Sequence, residues 1–145
     1  MPRLIRPDEL GALLALYRIL HPEDPVCTDA AGLESLWQEI CGDPNLFCIV
    51  HEADGVPVSS CTLAVVKNLT RGFRPYGVIE NVITHPGYRR KGYGTAVLHE
   101  AVRLARERRC YKVMLATGAK DEATLRFYEN AGFSRGVKTD FVVYF

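Results

Sequence analysis

A run of cations and glycines lies between a predicted strand and an apolar helical pattern, Arg89-Arg90-Lys91-Gly92-Tyr93-Gly94-Thr95. The first backbone N–H groups of a helix have no partners inside the helix, and the helix dipole adds positive charge there. Gly92 and Gly94 allow positive φ and a close approach of the backbone to a ligand. With the cationic side chains and the Thr95 hydroxyl, this loop is suited to binding a pyrophosphate.

Two other phosphate-binding loops do not fit this stretch. The sequence has neither GxxxxGK[ST] nor GxGxxG at the required spacing. The alternative interpretation is a solvated turn whose glycines only connect a strand to a helix. The loop taken alone leaves both interpretations open, so the rest of the chain has to decide between them.

Glu80 is a second candidate for chemistry, because it interrupts an apolar strand. A charge in such a strand is costly unless it has a function or a partner. Period-two alternation predicts that Glu80, Val82 and Thr84 share one face and that Asn81 points to the other. Burial would make such a carboxylate more basic, as a general base requires. The alternative is a structural carboxylate paired with an arginine of the loop from Lys67 to Pro75.

The spacing of apolar residues predicts the elements that position these groups. The predicted strands are 3–6, 46–51, 56–66, 76–84, 111–116, 133–136 and 139–145. The predicted helices begin near Pro7, at Thr28 or Asp29, near Gly94 and at Asp121. Asp54-Gly55 predicts a hairpin, and Gly132 predicts the end of the last helix. This order indicates one mixed α/β domain over residues 1–145.

The composition narrows the class of protein. The chain has 145 residues and a net charge of +1, with 18 basic and 17 acidic residues, which argues against a nucleic-acid-binding protein. Its five cysteines form no CxxC pair, which argues against a disulfide framework or a zinc site. The start lacks the apolar region of a signal peptide, and no apolar run reaches the roughly 20 residues of a membrane span. We therefore expect a cytoplasmic protein with no metal and no membrane partner.

Two motifs in the right order resemble the GNAT superfamily of N-acetyltransferases. The residues Arg89 to Gly94 are similar to that family's [RQ]-x-x-G-x-[GA] pyrophosphate loop. The stretch "TLRFYENAGF", Thr124 to Phe133, is similar to its second motif, a short helix with a tyrosine before a closing Gly-Phe. The resemblance implies a mostly antiparallel central sheet flanked by helices, with central strands that splay apart to bind acetyl-CoA.

The resemblance also implies which residues bind the acetyl-CoA. The backbone of Val82, Ile83 and Thr84 would contact the pantetheine arm, and the loop from Arg89 to Thr95 would hold the pyrophosphate. Many family members have an asparagine where this chain has Asp121. A carboxylate can accept a hydrogen bond from the pantetheine arm but cannot donate one. Asp121 can equally be the N-cap of its helix.

Acetyl transfer to an amine needs an acid for the departing thiolate and a base for the amine. The resemblance implies that Tyr128 is the acid, whereas a tyrosine packed beside Phe127 is the alternative. It implies that Glu80 is the base, because many family members have a base on this strand, which often acts through a water molecule. The expected activity is direct acetyl transfer to the primary amine of a small molecule. The other functional class is a non-catalytic acyl-CoA-binding regulatory domain.

The acceptor pocket is expected between the first two helices and the loop from Lys67 to Pro75. Cations in that loop would suit an acceptor with a phosphate or carboxylate, such as an amino sugar phosphate or an amino acid. The alternative is an ordinary solvated loop. The chain ends in "DFVVYF", a predicted strand with large apolar side chains. Because an exposed apolar edge is usually covered, we expect a homodimer.

Overall fold

The computed structural model describes residues 1–145, and its centre is one five-stranded sheet. The strands, in their order across the sheet, are β1 (Arg3–Leu4), β2 (Leu46–Ala53), β3 (Val56–Val66), β4 (Tyr76–Thr84) and β5 (Val113–Leu115). The helices are α1 (Leu10–Leu20), α2 (Ala30–Gly42), the single turn α3 (Thr70–Phe73), α4 (Tyr93–Glu107) and α5 (Glu122–Asn130). Neighbouring strands are antiparallel except β4 and β5, which are parallel. The expected mixed, mostly antiparallel α/β fold is confirmed.

Each face of the sheet has its own apolar core. On one face, α4 packs Val97 and Leu98 against the strands, together with side chains such as Leu63. On the other face, α1 and α2 pack Leu13 and Trp37 against the sheet. The apolar stripe of α4 therefore faces inward, and its charged residues remain outside, as the helical spacing predicts.

Several local signals form as the sequence predicts. Asp29 is the N-cap of α2, and its side chain accepts a hydrogen bond from the Gly32 N–H at 2.9 Å. Asp54 and Gly55 have φ values of 52° and 78°, as a two-residue hairpin turn requires. Gly132 has a φ of 104° just after α5. These features depend on neighbouring residues only, which is why the sequence predicts them well.

Strands β4 and β5 separate partway along the sheet. Strand β5 pairs only with the residues from Gly77 to Ile79, and β4 continues to Thr84. Opposite β3 the register shifts, because Thr62 pairs with Glu80 whereas Ser60 pairs with Ile83. A β-bulge in β4 therefore lies where the gap between β4 and β5 opens.

The predicted strands 133–136 and 139–145 do not form. No strand follows β5 in the sheet, and every residue from 134 to 145 is exposed. Gly136 turns the chain with a φ of 74°. Apolar and aromatic residues favour a strand, but a strand also has to pair with an edge and cover a core, and this segment does neither.

Candidate active site

The loop before α4 leaves a row of backbone donors free. None of the six N–H groups from Arg90 to Thr95 donates to a protein acceptor. The first bond of the helix runs from the Ala96 N–H to the Gly92 carbonyl at 3.0 Å. Positive φ values at Arg90 (60°) and Gly92 (85°) curve the chain before the helix begins. This arrangement of N–H groups is that of a backbone anion site.

The two glycines of this loop are required for different reasons. Gly92 has the expected positive φ and open space around it. Gly94 has helical backbone and is buried, so it does not use the positive φ that a glycine allows. A Cβ atom on Gly94 would lie 3.0 Å from both the Thr84 Oγ1 and the Phe127 Cζ. Gly94 is therefore the point where α4, β4 and α5 come into contact.

The free end of β4 is held by side chains from its neighbours. The Ser59 hydroxyl donates to the Ile83 carbonyl at 3.2 Å and lies 2.8 Å from the Thr84 Oγ1. The Arg89 Nε donates to the Thr84 carbonyl at 3.2 Å. Arg89 is thus bonded to the strand end, and the free positive charge of the loop lies on the residues that follow it.

The bulge changes which side chains share a face of β4. Glu80 pairs with Thr62, whose side chain lines a cavity under α1 and α2. Val82 packs on the opposite face, in the same core as Ile79. The prediction that Glu80 and Val82 share a face is therefore wrong, because the bulge inserts one extra residue between them.

The same insertion reorients Asn81 and exposes Glu80. Asn81 has a φ of 53° and lines the cavity under α1 and α2, although strict alternation turns it away from the Glu80 face. Glu80 is exposed and forms no ion pair or hydrogen bond, so neither the predicted burial nor a paired structural carboxylate is present. Neither burial nor a bonded partner therefore assigns a role to Glu80. What remains is its position at the bulge of β4.

Tyr128 lies on α5, half-buried against the core that contains Cys61. Its ring centroid is 5.0 Å from that of Phe127, so the predicted packing of these two rings is present. Cys61 lies in β3 at the register shift, which brings the Tyr128 side chain close to the bulge. Burial, with a smaller effect of the Cys61 thiol, raises the pKa of Tyr128, so its hydroxyl is protonated at neutral pH.

Asp121 is the N-cap of α5, which confirms one of its two interpretations. Its carboxylate accepts from the Thr124 N–H at 3.0 Å and from the Thr124 hydroxyl at 2.8 Å. The bond from the Thr124 hydroxyl, followed by that from its N–H, lowers the pKa of Asp121. A contact of Asp121 with acetyl-CoA remains a prediction.

A cavity between α1, α2 and the sheet contains groups that sequence reasoning missed. The Tyr17 hydroxyl lies 3.4 Å from the Thr62 hydroxyl, and burial raises the pKa of Tyr17 to about 12. The spacing of Tyr17 predicts only that it belongs to an apolar helix face. The bulge that orients Asn81 toward Tyr17 and Thr62 leaves no local signal in the sequence.

The structure offers neither a membrane-spanning helix nor a metal site. None of the helices combines the length and apolar character that a membrane crossing requires. No three His, Cys, Asp or Glu side chains come together in a way that could hold a metal ion. The groups with the geometry for chemistry are those of the loop, the bulge and the cavity.

Known proteins are similar to this chain in sequence and in fold. The model of the acetyltransferase (GNAT) family matches residues 13–133. The glucosamine 6-phosphate N-acetyltransferase of Trypanosoma brucei brucei is 39% identical over 132 residues, which cover 90% of this chain and 86% of that protein. A putative acetyltransferase from Agrobacterium tumefaciens str. C58 has a TM-score of 0.91 and 41% identity over 99% of both chains.

A third comparison concerns the fold alone. The glucosamine-6-phosphate N-acetyltransferase of Arabidopsis thaliana has a TM-score of 0.84 and 21% identity, and the match covers 100% of this chain and 97% of that one. The chain belongs to the GNAT family of acetyltransferases. It is an N-acetyltransferase, an enzyme that takes its acetyl group from acetyl-CoA, and the predicted enzymatic activity is confirmed over the non-catalytic alternative.

Proposed function

We propose that this enzyme transfers the acetyl group of acetyl-CoA directly to the primary amine of a small molecule, with acetyl-CoA bound along β4 and at the loop before α4. The observation that carries this proposal is the free edge of β4 from Glu80 to Thr84, which leads to six free N–H groups. An extended arm with amide groups binds a free strand edge as an added strand does. A pyrophosphate binds free N–H groups at a helix N-terminus.

The reaction proceeds at the gap between β4 and β5, which opens a passage from one face of the sheet to the other. Acetyl-CoA occupies the side of α4 and α5, and the amine enters from the side of α1 and α2. The amine nitrogen forms a bond to the thioester carbonyl carbon, and the C–S bond breaks. The thiolate of CoA takes a proton from Tyr128, and the nitrogen loses its proton to Glu80 through water.

The state of Tyr128 supports its role as the acid. A phenol is protonated at neutral pH even without a shift, and burial raises the pKa of Tyr128 further, so its hydroxyl has a proton to donate. Its side chain packs, half-buried, against the core that contains Cys61, the β3 residue at the register shift. Packing against Phe127 and donating a proton are compatible, because the first uses the ring and the second the hydroxyl.

The state of Cys61 supports direct transfer over an acetyl-cysteine intermediate. Cys61 is fully buried, and its Sγ donates to the Val97 carbonyl at 3.5 Å. Burial raises the pKa of Cys61 to about 12. Because the thiolate is the nucleophilic form, a thiol in this state is a poor acceptor for an acetyl group.

Glu80 acts from the side of the sheet where the amine enters. It shares the face of Thr62, next to the cavity residue Asn81. An exposed carboxylate there is surrounded by water, which fits proton transfer through a water molecule better than direct contact. The Glu80→Gln variant keeps the shape of the side chain and removes its basicity.

The experiment that tests the proposal compares kcat in Tyr128→Phe, Glu80→Gln and the control Tyr111→Phe. Loss of a general acid slows a reaction by about 10²–10⁴-fold, so kcat of Tyr128→Phe should fall by that factor. The KM for acetyl-CoA should stay unchanged, because the proton matters only as the C–S bond breaks. Tyr111 packs near Tyr76 at the other end of β4, and its variant should be as active as wild type. An unchanged kcat for Tyr128→Phe, with chemistry limiting the rate, would leave Tyr128 a packing residue only.

We propose a homodimer as the working form, in a reducing compartment such as the cytoplasm. The terminal segment Asp140–Phe145 exposes Phe141 and Tyr144 at 92% and 91%, which is unusual for large apolar side chains in water. All five cysteines are free thiols, as expected for a reducing compartment. Light scattering should show a dimer for the full chain and a monomer for a chain that ends at Lys138. A monomeric full chain would contradict the homodimer.

A further inference from the structure

The cavity between α1, α2 and the sheet is large enough for a small molecule. Its volume is about 320 Å³, and ten of its twelve lining residues are hydrophobic. This volume lies at the lower end of the range of small-ligand sites, roughly 300–1,000 Å³. Its walls include Leu13 and Leu14 from α1, and Leu36 and Trp37 from α2.

The polar groups of the cavity are gathered on one wall. Thr62 and Asn81 belong to the sheet, and the Tyr17 hydroxyl lies 3.4 Å from the Thr62 hydroxyl. Asn81 is a bulge residue of β4, next in sequence to Glu80 and to Val82. The polar wall of the cavity therefore lies at the position where the amine and the thioester would meet.

The cavity contains no cation. No lysine or arginine lines it, and no residue of the loop from Lys67 to Pro75 lines it either. Two arginines of that loop are bound elsewhere. Arg74 donates to the carbonyls of Arg109 and Cys110 at 3.1 and 3.0 Å, and the Arg71 guanidinium lies 5.5 Å from the centroid of the Tyr111 ring. The expected pocket between the helices is present, but the loop cations expected to line it are absent.

A phosphate in this cavity would lose its hydration without gaining an ionic partner. Burying an unpaired charge in apolar surroundings is strongly unfavourable. An apolar group in the same place would displace water from leucine and tryptophan side chains, which is favourable. The lining of the cavity therefore favours an acceptor whose amine is carried by an apolar group over one whose amine is carried by a phosphorylated group.

We infer that the acceptor of this enzyme is a primary amine with a hydrocarbon body, such as an arylalkylamine or a branched alkylamine, held with its apolar part between α1 and α2 and its nitrogen at the wall formed by Thr62 and Asn81. This inference rests on the proposed function and specifies its substrate class. It sets this chain apart from relatives named for an amino sugar phosphate.

The chain has a natural probe for the cavity, because its only tryptophan is Trp37. A hydrocarbon amine that enters the cavity changes the surroundings of the Trp37 indole. Titration with 2-phenylethylamine should therefore change the tryptophan fluorescence in a saturable way. Titration with glucosamine 6-phosphate over the same range should leave it unchanged.

Two matched leucine variants test the position of the acceptor. Leu36 lines the cavity and is 53% exposed, so Leu36→Lys places a cation there without burying it. Leu69 is 85% exposed on the loop from Lys67 to Pro75, outside the cavity. Leu36→Lys should raise the KM for 2-phenylethylamine about tenfold or more and leave the KM for acetyl-CoA unchanged. Leu69→Lys should change neither.

These measurements distinguish a wrong substrate class from a wrong proposed activity. Thiol release from acetyl-CoA with glucosamine 6-phosphate but not with 2-phenylethylamine or hexylamine would overturn the inference and leave the proposed function standing. Turnover of the hydrocarbon amines without a Trp37 response, or with equal effects of the two leucine variants, would also overturn it. A saturable Trp37 response to 2-phenylethylamine, without thiol release from acetyl-CoA with any of the three amines, would support the cavity as an amine site and contradict the proposed transfer.

Discussion

Replacing Gly94 by alanine tests how the active site is assembled. Gly94 is the second residue of α4, and an added Cβ would lie 3.0 Å from the Thr84 Oγ1 and the Phe127 Cζ, and 3.2 Å from the Phe127 Cε1. Favourable contacts between carbon atoms lie at about 3.5–4.0 Å, so these neighbours must move by a few tenths of an ångström. Both are held, because Thr84 is bonded to Ser59 and Phe127 packs on Tyr128.

The magnitude follows from two opposing effects. Forcing an extra carbon into a packed core typically costs about 1–3 kcal/mol. Replacing glycine inside a helix recovers roughly 0.5–1 kcal/mol of conformational entropy. The free energy of unfolding of Gly94→Ala should therefore fall by about 1–2 kcal/mol, which lowers the Tm by roughly 2–8 °C for a domain of this size. Because the side chains that move include Thr84 and the ring beside Tyr128, kcat/KM should fall by about tenfold or more.

The matched control is Gly11→Ala. Gly11 is likewise the second residue of its helix, α1, but nothing lies within 4 Å of the position that an added Cβ would take. This variant should be as stable as wild type or slightly more stable, with unchanged activity. Thermal unfolding followed by circular dichroism and acetyl-CoA kinetics measure both effects. If Gly94→Ala unfolds at the same temperature as Gly11→Ala, close packing at Gly94 is not the reason for the glycine.

Two further predictions concern stability. The bond from Arg3, with a smaller one from the Arg6 N–H, lowers the pKa of Glu9 from 4.5 to about 2. Because the pKa of Glu9 is lower in the folded state, its ionised carboxylate stabilises the fold fully above pH 4.5, and this stabilisation is lost as the pH falls toward 2. The free energy of unfolding, measured in urea, should therefore drop over this range by about 1–3 kcal/mol. The drop should be smaller in Glu9→Gln. Removing the α5 cap in Asp121→Ala should lower the midpoint of urea denaturation at pH 7, whereas an unchanged midpoint would show that the bonds to Thr124 contribute nothing.

Features that depend on a few neighbouring residues could be predicted from the sequence. The loop from Arg89 to Thr95 and the helix after it follow from glycine, cation and apolar spacing. The caps at Asp29 and Asp121 and the turn at Gly55 are equally local. The two motifs in their order were sufficient to identify the family. The fold brings them together, since Gly94 of the first motif lies against Phe127 of the second.

The faces of β4 could not be predicted in this way. A bulge is one extra residue in a pairing with a strand that lies elsewhere in the chain, so no short stretch of sequence reveals it. It separates Glu80 from Val82 and turns Asn81 into the cavity. The register between β3 and β4 therefore decided which side chains of β4 face the cavity.

The same dependence on distant partners explains the other differences. The segment Thr139–Phe145 has the apolar and aromatic residues of a strand but pairs with no edge of the sheet. Gly94 has the spacing of a ligand-binding glycine, yet what surrounds it is Thr84 and Phe127. The sequence by itself determined the glycine- and cation-rich loop before α4, the helix caps and the family. Only the tertiary structure decided the cavity between α1, α2 and the sheet, because its walls come from two helices and a sheet whose contacts are made across long stretches of the chain.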